Sequence, residues 1–417
     1  MSYNLSTIPK INDLLYTSEN RKEVAKSLNL KYSMWRHPSG ENYHILKYNK
    51  EWISFDTIKT IGLLRSLIYK DDGTVVCVAP PKSLPNGDSL CIEKNKTYIA
   101  ETFVEGTMIN MFYDKTSNCY EIATRSSVGG NLSFYMENGF DKSCTFKSMF
   151  DDVCKHVGFD YKNFSGTNKN FVYSFVMQHP KNRIVKVIKE MKLYLVDVFE
   201  IVDNNTINIV DFRKQVLNLP HGIKYPKQEA IVDDETLKKC KETTASMNTP
   251  YYIQGVVIKT SDGDRYKIRN PNYEQVRRLR GNQPKLQYQY FVLRQEGKVK
   301  EYLRYYKEHK GHFEDFRKGL HDYTNQLFEN YRRCYIKKEG ELKSFPEKYR
   351  VHMYTLHHEL YLKKLMPENN FVNKDIVINY INGIHPAKLM YVLNYDMRKN
   401  HMDTVQSEEN IGDIVTV

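Results

Sequence analysis

Over its first 285 positions the chain alternates short runs of β-branched and aromatic residues with turn residues, a pattern that predicts strands. TVVCVAP follows the turn KDDG at Lys70 to Gly73. GTMINMFYD and CYEIATRS flank DKTSN, and GVVIKT and DRYKIR bracket SDG, so each pair predicts an antiparallel hairpin. Further strands are predicted at FVYSFVMQ, RIVKVI, LYLVDVFEIV and INIVDF, and helices near residues 7–28, 144–157 and 234–246. From about residue 286 the apolar residues recur at spacings of three and four, the helical period. The segments are LQYQYFVLRQEGKVKEYLRYYKEH, YRVHMYTLHHELYLKKLM and NKDIVINYINGIHPAKLMYVLNYDMRK.

The expected fold class is α+β. A mainly antiparallel domain spans 1–285, opening with a lead-in helix at about 7–28. An all-helical domain spans 286–400, and an acidic flexible tail spans 401–417. Tyr302, Tyr305 and Tyr306, in the helical region, read as packing residues.

Composition narrows the class. No stretch approaches the roughly 18 uncharged apolar residues of a membrane span. The N-terminus has no basic region leading into an apolar run. Seven cysteines, an odd number without a CxxC pair, fit a reduced compartment. An intracellular, cytoplasmic protein with no membrane partner is expected. Histidines 309, 312, 352, 357 and 358 lack the HExxH spacing, and no metal site is assigned.

The 62 Lys and Arg exceed the 50 Asp and Glu, giving a net charge of +12. The last 17 residues hold four acids and no Lys or Arg, so the first 400 carry +16. The densest stretch, Arg265 to Lys285, has seven basic residues and one acid, with Tyr266, Tyr273, Tyr288 and Tyr290 in or beside it. Cations interleaved with aromatics suit a phosphate backbone with stacked bases.

A series of motifs in residues 60–285 resembles the phage-type RNA ligase 1 family of covalent nucleotidyltransferases, in a variant associated with large DNA viruses. LLRSLIYKDDGTVVCVAPPKSLPNGD, Leu63 to Asp88, resembles the family's opening strands and the basic residue that follows them, here Lys82. ETFVEGTMINMFYD resembles the nucleophile segment, in which a lysine precedes Asp/Glu-Gly-Ser/Thr by one residue. Glu105, Gly106 and Thr107 match, but Phe103 occupies the lysine position. EIATRSSVGGN places Arg125 at the family's next basic residue, with Ser126 for the usual glycine. Pro180 and Asn182 to Val185 match closely, while the family's ribose-binding glutamate falls on Val176. YYIQGVVIKT places Gln254 where the family has a metal-organising glutamate before Gly255. RYKIRNPNY resembles the phosphate-binding strand, with Lys267 retained and Arg269 for the second lysine.

In the family, the lysine amine attacks the α-phosphate of ATP and becomes covalently bound to AMP. Phe103 cannot make that bond, and an amide at 254 brings no charge to a hard cation. The resemblance therefore implies an inactive, ligase-like protein that binds RNA, other nucleic acid or a nucleotide. An extension of that reading is a subunit of a viral nucleic-acid-processing or transcription complex, in a virus factory or virion. No cofactor is then required. No residue is assigned as catalytic, and Glu105, Gly106 and Gln254 remain as a degenerate motif. Arg125, Lys267 and Arg269 are the expected phosphate ligands, and Arg183, Arg277, Arg278 and Arg280 the expected nucleic-acid contacts. Two alternatives stand beside it. One is an active ATP- and Mg-dependent RNA ligase using a relocated lysine, with Lys82, Lys94 and Lys96 upstream as candidates. The other is a structural or virion-assembly protein on the same scaffold.

Overall fold

The computed structural model describes residues 1–17, 20–37, 40–85, 87–133 and 144–400. The expected acidic tail at 401–417 lies outside the described residues. The chain divides into two compact units, Met1–Arg280 and a second beginning at Gly281. The fold is α+β, with antiparallel sheets in the first unit and helices in the second. No helix among the described residues is long and apolar enough to cross a membrane.

The strands of the first unit form three sheets, and every pairing within them is antiparallel. One contains β2 (Leu30–Arg36), β3 (Asn42–Tyr48), β4 (Leu67–Lys70) and β5 (Val75–Val78), in that order. It packs on two short helices, α1 (Ile11–Tyr16) and α2 (Arg21–Ser27), through Leu14, Leu15, Ile45 and Ile68. The six-stranded sheet runs β1 (Ser2–Asn4), β11 (Thr206–Ile209), β10 (Lys192–Ile201), β9 (Phe171–Gln178), β7 (Thr107–Asp114), β8 (Cys119–Ala123). Phe150 and Val153 of α3 (Phe146–Val157) fill its core with Phe175, Leu193 and Leu195. The third sheet runs β12 (Gln228–Ile231), β6 (Tyr98–Thr102), β13 (Gly255–Thr260), β14 (Arg265–Arg269). It is backed by α4 (Asp234–Thr244), and α5 (Pro271–Arg280) follows β14.

Local chemistry explains the boundaries. The Thr145 hydroxyl accepts from the Ser148 amide and Ser148 answers the Thr145 amide, which starts α3; Gly158 closes it in the left-handed region at φ 70°. Asp233 and Thr236 make the same reciprocal cap on α4. The SDG sequence turns β13 into β14, pairing Lys259 with Arg265.

Two expectations require correction. The predicted lead-in helix over 7–28 is two helices, because Thr17 ends α1 in an extended conformation. RIVKVI forms no strand: the amides of Val185 and Lys186 donate to the Glu105 carboxylate at 3.0 Å each, replacing ladder partners.

The described residues of the second unit form helices and turns. They include α6 (Leu286–Gln295), α7 (Val299–Tyr305), α8 (Lys310–Tyr331), α9 (Glu347–Tyr354), α10 (Lys374–Asn382) and α11 (Pro386–Leu393). Tyr302 and Tyr306 are fully buried with their rings stacked at 4.6 Å, and the Tyr302 hydroxyl lies 2.7 Å from Nδ1 of buried His309. These aromatics pack a core.

Two glycines set the spacing of strands in the first unit. A Cβ on Gly106 falls 2.3 Å from the Met177 carbonyl oxygen, and one on Gly255 falls 2.1 Å from that of Ile268. Backbone cannot yield as a side chain tip can. Gly106→Ala and Gly255→Ala are each expected to destabilise the first unit by about 3 kcal/mol, read as a lowered urea midpoint; an unchanged midpoint contradicts the packing.

Candidate functional site

The third sheet has two chemically opposite faces, because successive side chains of a strand point to opposite sides. The register pairs Glu101 with Val257 and Val257 with Lys267, while Gly255 pairs with Arg269 and Lys259 with Arg265. The Phe103 amide donates to the Gly255 carbonyl at 3.2 Å, which continues the alternation one residue beyond β6. Glu101, Phe103, Lys259, Arg265, Lys267 and Arg269 therefore share one face. Ala100, Val256, Ile258 and Ile268 occupy the other and pack on Leu237 and Cys240 of α4.

The charged face closes a cavity of about 240 Å³. Met108, Val176 and Val196 from the six-stranded sheet form an apolar wall, and Arg65, Gln254, Tyr273 and Arg277 complete the lining. Four arginines, Arg65, Arg265, Arg269 and Arg277, and the amine of Lys267 meet one lining carboxylate, Glu101. That carboxylate is already engaged: Lys259 Nζ lies 2.8 Å from it and 2.8 Å from Asp197. Asp197 sits at a bulge in β10, which aims it toward the third sheet. Arg265 Nη2 lies 3.5 Å from Asp197 Oδ2, an ion pair without hydrogen-bond geometry. Nε and Nη1 of Arg265 are buried without a hydrogen-bond partner.

Phe103 lies within this charge. Lys267 Nζ is 5.1 Å from its ring centre and Arg269 Cζ is 5.4 Å away, both in the cation–π range. Arg269 and Arg277 converge on Glu274 of α5, at 2.5 and 3.2 Å. The Lys267 Nζ has no hydrogen bond or ion pair among the described residues. Burial, reinforced by Arg65, Arg265 and Arg269, pushes its pKa down to about 6. Burial and Arg265 also bring Arg65 down to about 10. Burial raises the Asp197 carboxyl, but Arg265 and Lys259 outweigh it and hold the group below its ordinary range.

The predicted site residues divide into three groups. Phe103, Gly106, Gln254, Lys267, Arg269 and Arg277 line the cavity, as does Val176. Arg125 lies beside it, stacked on Tyr48 at 5.0 Å, with Nε donating to the Arg65 carbonyl at 3.3 Å. Burial and Arg125, with further repulsion from Arg277, Arg65 and Arg269, lower the Lys50 pKa, so this positive field extends past the cavity.

The remainder serve elsewhere. Glu105 is buried and holds the 182–186 loop through the Val185 and Lys186 amides, and burial raises its pKa. Asn182 Nδ2 donates to Thr107 Oγ1 at 2.6 Å, tying the same loop to β7. The Arg183 Nε donates to the Val185 carbonyl at 3.0 Å, a bond internal to that loop. Arg278 is exposed on α5, whereas Arg280 is only 3 % exposed and is removed from the expected nucleic-acid surface. On the helix Arg278 points away from Arg277, and Arg280, three residues on from Arg277 and on its side, is buried, so the three arginines do not make one patch.

Arg265, Glu101, Asp197 and Lys259 were not singled out from the sequence as site residues. Their signal was available for β6 and β14: charged residues at alternate positions of otherwise apolar strands.

The residues present do not suit a protein-held divalent ion. Glu101 and Asp197 are neutralised by Lys259 and Arg265, and four further basic side chains, Arg65, Lys267, Arg269 and Arg277, face the same space. Gln254 Oε1 is buried without a partner but carries no charge. No group of three His, Cys, Asp or Glu has metal-binding geometry among the described residues.

The Lys267 pKa has a consequence for stability. The unfolded chain holds this proton up to about pH 10.5, and the folded chain releases it near pH 6. Between those values the unfolded state binds more protons, so the Lys267 contribution makes stability rise with pH. Lys267→Met is expected to flatten that rise and to raise the melting temperature at neutral pH. Parallel pH–melting curves for the two proteins contradict the buried neutral amine.

No protein-family model matches the chain, and no curated protein sequence matches it. Among solved structures, an archaeal ATP-dependent RNA ligase, form 1, is similar at a TM-score of 0.41 and 12% identity. The match covers 76% of this chain and 83% of that one.

Proposed function

We propose that the first unit binds a phosphate-bearing ligand, a nucleotide or a phosphorylated RNA end, in the Phe103 cleft of an RNA-ligase-like nucleotidyltransferase scaffold. The observation that carries this reading is the excess of positive charge at the cavity: four lining arginines and Lys259 against the three carboxylates that pair with them, Glu101, Asp197 and Glu274. Unpaired donors of buried Arg265 point the same way, since buried polar groups ordinarily have partners. Phosphate oxygens are anionic acceptors with the geometry that arginine recognises. The order of the ligase-like segments supports the scaffold. ETFVEGT, QGVVIKT and RYKIR, separate in sequence, supply adjacent parts of one cavity.

The binding reading requires no chemistry at residue 103, whose phenyl ring has no nucleophile. Val176 and Gln254, where the ligase pattern has carboxylates, reduce negative charge in the same cleft. Losing carboxylates from a cation-rich pocket strengthens anion attraction as it removes metal ligands.

ATP and a 5′-phosphorylated RNA oligonucleotide test this directly by titration calorimetry. At least one is expected to bind, with affinity falling as salt rises. Arg277→Ala and Arg269→Ala are each expected to weaken binding about tenfold, the loss of a charge-assisted hydrogen bond. Wild-type protein that binds neither ligand, or variants that bind as tightly as it does, contradict the proposal.

A further inference from the structure

The carboxylates beside the Phe103 cleft are committed to cations of the chain itself. Glu101, which lines the cavity, lies 2.8 Å from Lys259 Nζ. Asp197 Oδ1 lies 2.8 Å from the same amine, and Arg265 is 3.5 Å from its other oxygen. Glu274 holds Arg269 and Arg277 at 2.5 and 3.2 Å. Val176 and Gln254 line the same space and bring no negative charge. A hard divalent ion is held through oxygen ligands, carboxylates foremost. Each of these carboxylates would first have to leave a lysine or an arginine.

The field of the cleft opposes a dication as well. Burial, followed by repulsion from Arg65, Arg265 and Arg269, brings the Lys267 pKa down to about 6. The part owed to the arginines acts against the single charge of an ammonium group. It acts against both charges of a divalent ion in the same place. A bare phosphate chain meets the opposite condition. Nε and Nη1 of Arg265 are buried donors without partners, and guanidinium groups grip phosphate oxygens two at a time. Four arginines in one lining suit a chain of phosphates better than a single one.

We infer that the Phe103 cleft takes its ligand as an uncomplexed di- or triphosphate, with Arg65, Arg265, Arg269 and Arg277 in the role that a divalent ion plays at metal-dependent nucleotide sites. The inference rests on the cleft binding phosphate as proposed above, and it specifies which form of the ligand is bound.

Magnesium is then a competitor. In solution it occupies the same phosphate oxygens and lowers the negative charge of the ligand by two. It also keeps several of its waters, which the cavity of about 240 Å³ would have to admit with the phosphates. Gln254 bears on the same balance. Its Oε1 is buried without a hydrogen-bond partner, in the lining that the arginines share. A carboxylate at this position would cancel part of their field and offer a metal an anionic oxygen.

The test is titration calorimetry of the full chain with inorganic tripolyphosphate and with ATP, in EDTA and in excess Mg²⁺. Sodium chloride equalises the ionic strength, which separates chelation from screening. Binding is expected in EDTA and is expected to weaken about tenfold in Mg²⁺. Gln254→Glu is expected to bind more weakly in EDTA and to lose less affinity on adding Mg²⁺; an undiminished loss in a folded variant overturns the role given to the arginines. A second measurement needs no variant: Mg²⁺ added to the protein alone is expected to leave its melting temperature unchanged, and a rise reveals a metal site and overturns the inference. Binding that requires Mg²⁺, tightens with it or ignores it also overturns the inference while leaving phosphate binding intact. Failure of tripolyphosphate and ATP to bind in either buffer overturns it too, and binding of the 5′-phosphorylated RNA alone still supports the broader reading.

Discussion

Positive charge is concentrated in the first unit beyond the reach of the carboxylates available to neutralise it. Arg65, Arg265, Lys267, Arg269 and Arg277 line one cavity, and its carboxylate Glu101 is held by Lys259. Charges removed from water are unfavourable unless paired, and like charges at short range add to that penalty. The protein responds in two ways. Asp197 and Glu274 each hold a pair of cations, and Lys267 gives up its proton. The remaining excess makes the cleft an attractive place for an anion.

That concentration depends on β-sheet geometry. The three strands β6, β13 and β14 alternate between an apolar face on α4 and a charged face on the cavity. A slip of one residue would exchange the faces, burying Lys267 and Arg269 against Leu237. Gly255 permits close approach to the Ile268 carbonyl in this register, and Gly106 permits approach to Met177 at the opposing sheet. The site is consequently a product of packing on both of its walls. The apolar side holds the strands in place, and the charged side is presented as a result.

Glu105 shows how a sequence match and a functional role can separate. Its position in Glu-Gly-Thr suggested a remnant of the nucleophile segment. In the fold it accepts from the Val185 and Lys186 amides and holds a loop under the cavity residue Ile184. Its contribution is architectural, and it also explains why RIVKVI, whose composition favours a strand, does not pair as one. β propensity describes a fit to a pleated surface, and a buried carboxylate offered these amides different partners.

The sequence by itself determined the α+β class, the change from period-two to helical spacing and the SDG hairpin. Each follows from neighbouring residues or from the chemistry of one side chain. It also drew Lys267, Arg269 and Arg277 from the basic run at Arg265 to Lys285, because charge density is visible without coordinates. Only the tertiary structure decided which of those cations converge. It buried Arg280, left Arg278 exposed on α5, and placed Lys267 against Phe103 from a strand more than a hundred residues away in sequence. It likewise joined Glu101, Asp197, Lys259 and Arg265 into one ion-paired cluster. Pairing, burial and a displaced pKa depend on distances between strands, and those distances are set by long-range register and packing that no local pattern specifies.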